Sequence, residues 1–94
     1  MQWFMLHQWL VWRNNSGMIA VGEGRSRRMI KLGTAGLPDI FAVKDGILAA
    51  VEVKKPGNKP TELQKTTLAD LDSHGAWILV AYSVDDVEKK FKIV

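Results

Sequence analysis

Two acidic residues and a lysine are spaced so that folding could bring them together. Asp39 follows a proline, and Glu52 lies two residues before Lys54. Between them, Asp45-Gly46 separates two apolar runs, a pattern typical of a β-hairpin. Where the two strand ends meet, the acids could share one Mg²⁺ or Mn²⁺ ion, with the Val53 carbonyl as a further ligand. Such an ion polarises a phosphate and acidifies its bound water, so the pattern predicts phosphodiester hydrolysis.

Lys54 is the candidate catalytic lysine. Alternate residues of a strand share a face, so Glu52 and Lys54 should point the same way, about 6.6 Å apart. The ammonium could act as a base, orient the attacking water or stabilise charge on the phosphate, and we favour the last two roles. The alternative is an exposed strand pair next to an ordinary Pro38-Asp39 turn. We prefer the catalytic interpretation because the apolar run 48–51 predicts a central strand, where charges are uncommon.

Gln64 is a further candidate for the site, at the start of a predicted helix. It could reach back toward a metal-bound water or a phosphate. Thr61 three residues earlier also fits a capping box, in which the glutamine satisfies a backbone donor. The sequence supports both interpretations equally, and the two roles can coexist.

Composition and charge limit the classes of protein to consider. The 94 residues suffice for one domain, taken as 1–94, without a separate recognition module. Cysteine is absent and the two histidines are far apart, which argues against a zinc site and for a hard, oxygen-liganded ion. Residues 13–59 hold nine basic and four acidic side chains, although the whole chain carries only +3. This uneven distribution favours a polyanionic partner.

The basic excess supplies the candidate DNA contacts. If residues 26–32 form a strand, most of the basic side chains near it fall on one face and could contact phosphates. A charged edge strand that discourages aggregation is the alternative. Gly33 and Gly36 before the first acid could let a DNA backbone approach, or could simply make turns. The predicted DNA-binding residues are Arg13, Asn14, Arg25, Arg27, Arg28, Lys31, Lys55 and Lys59.

The pattern of elements predicts an α/β fold of the α+β type, with a mixed sheet flanked by helices. Residues 18–21 and 26–32 read as strands, followed by the hairpin around Asp45-Gly46. A helix from Thr61 to Gly75, a strand at 76–82 and a final helix capped by Ser83 follow. The helix between two strands predicts a crossover that makes 76–82 parallel to 47–54. Residues 9–13 fit either the end of a helix or a strand.

The apolar start of the chain, residues 1–12, is too short to span a bilayer and lacks the basic region of a signal peptide. We interpret it as core or subunit contact. A tryptophan-rich helix on a membrane surface is the alternative, but it would require several basic residues and finds only Arg13. We therefore expect a cytoplasmic protein without membrane contact.

Taken as a series, these motifs resemble the virus-type replication-repair nuclease (VRR-NUC) family, especially its small free-standing phage members. The resemblance rests on 13–17 (Arg-Asn-Asn-Ser-Gly), 33–40 (Gly-x-x-Gly-x-Pro-Asp-Ile), 52–57 (Glu-Val-Lys-Lys-Pro-Gly) and Gln64. It implies a restriction-endonuclease-like core, Mg²⁺ or Mn²⁺ dependence, a homodimer and cleavage of branched or flapped DNA. Asp39 and Glu52 would be metal ligands and Lys54 the catalytic lysine, with Gln64 near the site.

One departure from the family is the lack of a supporting acid before Asp39, where this chain has only Glu23.

The sequence leaves two main hypotheses about function. The first is a metal-dependent, structure-selective DNA endonuclease that leaves 5′-phosphate and 3′-hydroxyl ends. The second is a catalytically silent nucleic-acid-binding module, and a small assembly or membrane-surface protein is a weaker third.

Overall fold

The fold was described from a computed structural model, which covers residues 1–14, 18–21, 25, 28–31 and 36–94, with only the backbone of 18–21 and 28–31. Three helices and six strands occur in this part of the chain. In chain order they are α1 (Gln2–Leu6), β1 (Leu10–Arg13), β2 (Met18–Val21), β3 (Arg28–Lys31), β4 (Ile40–Lys44), β5 (Ile47–Val53), α2 (Glu62–Ser73), β6 (Trp77–Ala81) and α3 (Val84–Phe91).

Four of the strands form one mixed sheet in the order β1-β4-β5-β6. The β1-β4 and β4-β5 pairs are antiparallel, whereas β5 and β6 are parallel and are connected through α2. Strands β2 and β3 pair separately as an antiparallel two-stranded sheet. The predicted class, a mixed sheet with flanking helices, is therefore confirmed, as is the central position of β5.

The turn between β4 and β5 fixes how these two strands pair. Asp45 and Gly46 both have positive φ, 51° and 78°, as the two central residues of a type I′ turn require. This two-residue turn places Lys44 opposite Ile47, and the register continues to Ile40 opposite Val51. Because the register is set at the turn, it also determines which residues meet at the far end of the hairpin.

The hydrophobic core lies on one face of the sheet, beneath α1 and α3. Phe4 of α1 and Phe91 of α3 are fully buried, and their ring centroids lie 5.4 Å apart. Val51 of β5 belongs to the same buried cluster. Since successive residues of a strand point to opposite faces, Glu52 points to the other face, where α2 lies.

The two long helices begin with the predicted caps. The Thr61 hydroxyl accepts a hydrogen bond from the Gln64 N–H, and the Ser83 hydroxyl accepts one from the Asp86 N–H. Such caps satisfy backbone donors that the first helical turn leaves free. At the start of the chain, the undecided boundary is resolved in favour of a short helix, α1, followed by strand β1.

Candidate active site

The hairpin register brings the two predicted acids together. Ile40 pairs with Val51, so one further step along the antiparallel strands places Asp39 opposite Glu52. Asp39 itself lies just before β4, and its Oδ2 accepts a hydrogen bond of 2.8 Å from the Val53 N–H. The acid is thereby tied to the end of β5, beside the second acid. This agrees with the convergence predicted from the sequence.

Glu52 is a buried acid. The residue is 2% exposed, although it lies at the penultimate position of β5. Its Oε1 accepts a hydrogen bond of 3.3 Å from Gln64 Nε2, and the Lys54 Nζ lies 3.8 Å from the same oxygen. Its Oε2 is buried without a hydrogen-bond partner among the described residues. A buried carboxylate oxygen without a partner is costly, so it marks this side chain as a candidate ligand.

The surroundings of Glu52 shift its protonation. Its pKa is raised from 4.5 to about 7, first because burial penalises the charged carboxylate and second because the Asp39 carboxyl lies beside it. The Lys54 ammonium acts in the opposite direction and lowers this pKa. Two acids and a cation therefore interact electrostatically at one point of the sheet, as the sequence analysis expected.

Lys54 follows β5 directly, and its side chain is 19% exposed. Its backbone N–H donates to the Ala81 carbonyl, so the parallel pairing with β6 extends one residue beyond the strand. The separation of 3.8 Å from Glu52 is too long for a hydrogen bond, which makes the contact an electrostatic one. The ammonium can therefore stabilise negative charge at the site without being held by Glu52.

Gln64 forms the predicted capping box and also contacts Glu52, whereas its predicted contact with a metal-bound water or a phosphate stays a prediction. Its Oε1 accepts a hydrogen bond of 2.8 Å from the Thr61 N–H, which completes the capping box. Its Nε2 donates to Glu52 Oε1 on the other side. The helix cap therefore also holds one predicted metal ligand; the sequence predicted the capping box but not the bond to Glu52.

The donor set fits a hard divalent cation with few protein ligands. The carboxylates of Asp39 and Glu52 meet, and the buried Oε2 of Glu52 has no hydrogen-bond partner among the described residues. Mg²⁺ and Mn²⁺ prefer such oxygen ligands. The Val53 carbonyl, the third predicted ligand, belongs to the residue whose N–H binds Asp39. Among residues 1–14, 18–21, 25, 28–31 and 36–94, no group of three acidic, histidine or cysteine side chains could hold a metal. A cation here would take its remaining ligands from water and phosphate.

The predicted DNA contacts lie in several places. Arg13 ends β1 and is exposed, and Lys55 and Lys59 are exposed in the loop between β5 and α2. Arg25 is exposed and precedes β3, and the predicted row of basic residues on one strand face stays a prediction. Arg28 and Lys31 are the two ends of β3, whereas Arg27, Gly33 and Glu23 lie outside the described residues.

Two features of the site were missed by sequence reasoning. Asn14, predicted to contact DNA, donates from its side-chain Nδ2 to the Pro38 carbonyl at 2.8 Å. Gly36 has φ of +83°, and a Cβ there would lie 2.7 Å from Leu63 Cγ of α2. The glycine thus lets the segment before Asp39 pack against α2. In the sequence, its place before Pro38-Asp39 indicated a turn, but its contact with α2 could not be predicted because Leu63 is distant in the chain.

An apolar cleft of about 370 Å³ lies on the face covered by α1 and α3, and its lining includes Phe4 and Val87 together with two predicted site residues, Arg13 and Val53. Neither Glu52 nor Lys54 lines it.

None of the described helices is long and apolar enough to cross a bilayer. Comparisons with protein-family models, with curated proteins and with solved structures found no match to this chain.

Proposed function

We propose that this chain is a Mg²⁺- or Mn²⁺-dependent DNA endonuclease that selects branched, flapped or four-way-junction DNA by shape. The observation that supports it most is the meeting of Asp39, buried Glu52 and Lys54 at the end of one hairpin. The resemblance to VRR-NUC nucleases points to the same chemistry. The cytoplasm as the place of action and a homodimer as the active form are parts of this proposal.

In the proposed reaction Asp39 and Glu52 hold the cation, and Gln64 keeps the Glu52 carboxylate oriented through its 3.3 Å hydrogen bond. When bound, the ion supplies Lewis acidity toward the phosphate and acidifies a water molecule. The Lys54 ammonium orients the attacking water and stabilises negative charge that builds on the phosphate. The water would give one proton to solvent as its oxygen bonds to phosphorus, the bond from phosphorus to the 3′ oxygen would break, and that oxygen would take up a proton from solvent. The products are a 5′-phosphate and a 3′-hydroxyl.

Substrate selection would come from contacts to the DNA backbone. The exposed Arg13, Lys55 and Lys59 can contact phosphates, and such contacts position the DNA without reading its sequence. The geometry of a branch is therefore the feature by which this protein would choose its substrate.

A second candidate, a catalytically silent nucleic-acid-binding module, is favoured by two observations. Among the described residues two carboxylates meet at the site and no third, and the pKa of Glu52 is raised to about 7. A protonated glutamic acid is a poor metal ligand, so weak metal binding would leave the basic surface as the functional part.

Cleavage assays separate the two candidates. Labelled four-way junction, flap and linear duplex are incubated with Mg²⁺, Mn²⁺ or chelator. Asp39→Asn and Lys54→Ala should each lower cleavage by at least about a hundredfold, in the range found for loss of a group that stabilises a transition state. The matched controls Asp72→Asn and Lys90→Ala change exposed residues of α2 and α3 and should retain activity.

The outcomes are distinct. Cleavage of branched DNA that requires metal and is lost in both site variants supports the endonuclease. Cleavage that persists in chelator or in Asp39→Asn contradicts the assigned site. Salt-sensitive binding without cleavage in either metal favours the silent module, because phosphate contacts weaken steeply as salt rises.

A further inference from the structure

Asn14 joins the end of β1 to the segment that carries Asp39. Its side-chain Nδ2 donates a hydrogen bond of 2.8 Å to the Pro38 carbonyl, and its backbone N–H donates one of 2.7 Å to the Asp39 carbonyl. Pro38 is among the most completely buried residues of the protein. The two bonds therefore fasten two consecutive peptide units just before β4.

Asp39 depends on such fastening because it lies outside the regular sheet. The ladder between β4 and β5 ends at Ile40 opposite Val51, and β4 begins at Ile40. Beyond that pair, the Asp39 carbonyl is held by Asn14 and the Asp39 carboxylate by the Val53 N–H. The first contact fixes the main chain and the second fixes the side chain, so each supports the other.

We infer that Asn14 is a positioning residue that holds the Pro38-Asp39 segment so that the Asp39 carboxylate stays bound to the Val53 N–H beside Glu52. This role differs from the DNA contact predicted for Asn14, because one of the two amide N–H donors is directed to a protein carbonyl. It rests on the proposed function only where it concerns metal affinity. An aspartate at this position has the same shape but no donor, and two oxygens would then face each other.

The direct test follows the Val53 N–H by amide hydrogen exchange, measured by NMR in chelator. In Asn14→Ala and Asn14→Asp we expect exchange at Val53 to become at least about tenfold faster, as expected when a hydrogen bond of about 1.4 kcal/mol is lost. Ala49 and Ala50, which lie within β5, should keep their protection. The matched control Asn58→Ala alters an exposed loop residue and should leave Val53 unchanged. Unchanged exchange at Val53 in both Asn14 variants would overturn the inference.

A second measurement connects the inference to metal binding. Mn²⁺ affinity, measured by calorimetry, should fall about tenfold or more in Asn14→Ala, as is typical when the partner of a metal ligand is removed. Affinity for four-way-junction DNA in chelator should remain within about twofold, because phosphate contacts are retained. Weaker DNA binding with unchanged Mn²⁺ affinity would assign the amide to DNA and refute the positioning role. If the wild-type protein binds no Mn²⁺, the proposed function fails, and the exchange at Val53 still decides the inference.

Discussion

The buried Glu52 should make the metal-free protein less stable as the pH rises. Its pKa is raised from 4.5 to about 7 in the folded state, whereas the unfolded chain keeps the ordinary value. Between these two values the folded protein binds a proton that the unfolded chain has released. The free energy of unfolding therefore falls as pH rises through this interval and changes no further, from this group, above it.

The magnitude follows from the width of the interval. One pKa unit corresponds to about 1.4 kcal/mol, so the interval from 4.5 to about 7 corresponds to about 3 kcal/mol of lost stability. Glu52→Gln keeps the shape of the side chain and has no charge to bury. The variant should equal the wild type at pH 4.5 and exceed it by about 3 kcal/mol at pH 8. Titrating groups that do not contact Glu52 cancel in this difference.

The assay is urea unfolding in chelator at half-unit steps from pH 4.5 to 8.5, followed by fluorescence of the buried Trp3 and Trp9. The matched control Glu88→Gln changes an exposed residue of α3 and should differ from the wild type by less than about 0.5 kcal/mol at every pH. Repeating the series in Mn²⁺ should restore the wild type at pH 8, since a cation that binds only the folded state stabilises it. Glu52→Gln should show little response.

The result that would refute this reasoning is a difference between Glu52→Gln and the wild type that is flat with pH, or that favours the wild type at pH 8 in chelator. Either outcome would mean that the Glu52 carboxylate finds compensation in the folded protein. Stabilisation of Glu52→Gln by Mn²⁺ as large as that of the wild type would instead move the metal site elsewhere.

Three further changes test the elements around the site. Gly36→Ala should lower the free energy of unfolding by about 2–3 kcal/mol in urea titrations, because its Cβ would meet Leu63 at 2.7 Å. Gly46→Ala has a similar positive φ but open space around the new Cβ, so it should cost about 1 kcal/mol. Equal losses in the two variants would contradict the packing role of Gly36. Lys54→Met should raise the pKa of Glu52 further, so about tenfold more Mn²⁺ would be needed at pH 7 for the same rise in melting temperature; an unchanged Mn²⁺ requirement would contradict this. Inserting one glycine after Gly46 should abolish the Mn²⁺ response, because a one-residue slip turns side chains to the opposite face; a retained response would refute the assigned register.

The hairpin and the helix cap could be predicted from sequence because their signals are local. Asp45-Gly46 between apolar runs specified a two-residue turn, and the turn set the pairing of Asp39 with Glu52. Thr61 and Gln64 likewise specified a capping box within four residues. Each of these predictions depends on neighbours in the chain, and each is confirmed.

The remaining features depend on contacts between distant residues, which no local pattern reveals. The role of Asn14 requires knowing that β1 lies beside β4, and the role of Gly36 requires knowing that α2 passes over it. The predicted row of basic residues includes Arg25, which lies before β3, and Arg27, which lies outside the described residues, so the row stays a prediction. Nuclease activity, the cation and the DNA partner remain predictions, because they depend on molecules outside the chain.

The short turn at Asp45-Gly46 also has a consequence for how the protein folds. Contacts between residues close in sequence form first, and a hairpin closes within about 1–10 μs. We therefore expect Asp39 and Glu52 to approach each other before β1 and α2 arrive with Asn14 and Gln64. The two carboxylates would then come together early, while water still screens the repulsion between them. Acid or a divalent cation would then act on the folding rate as well as on the finished molecule.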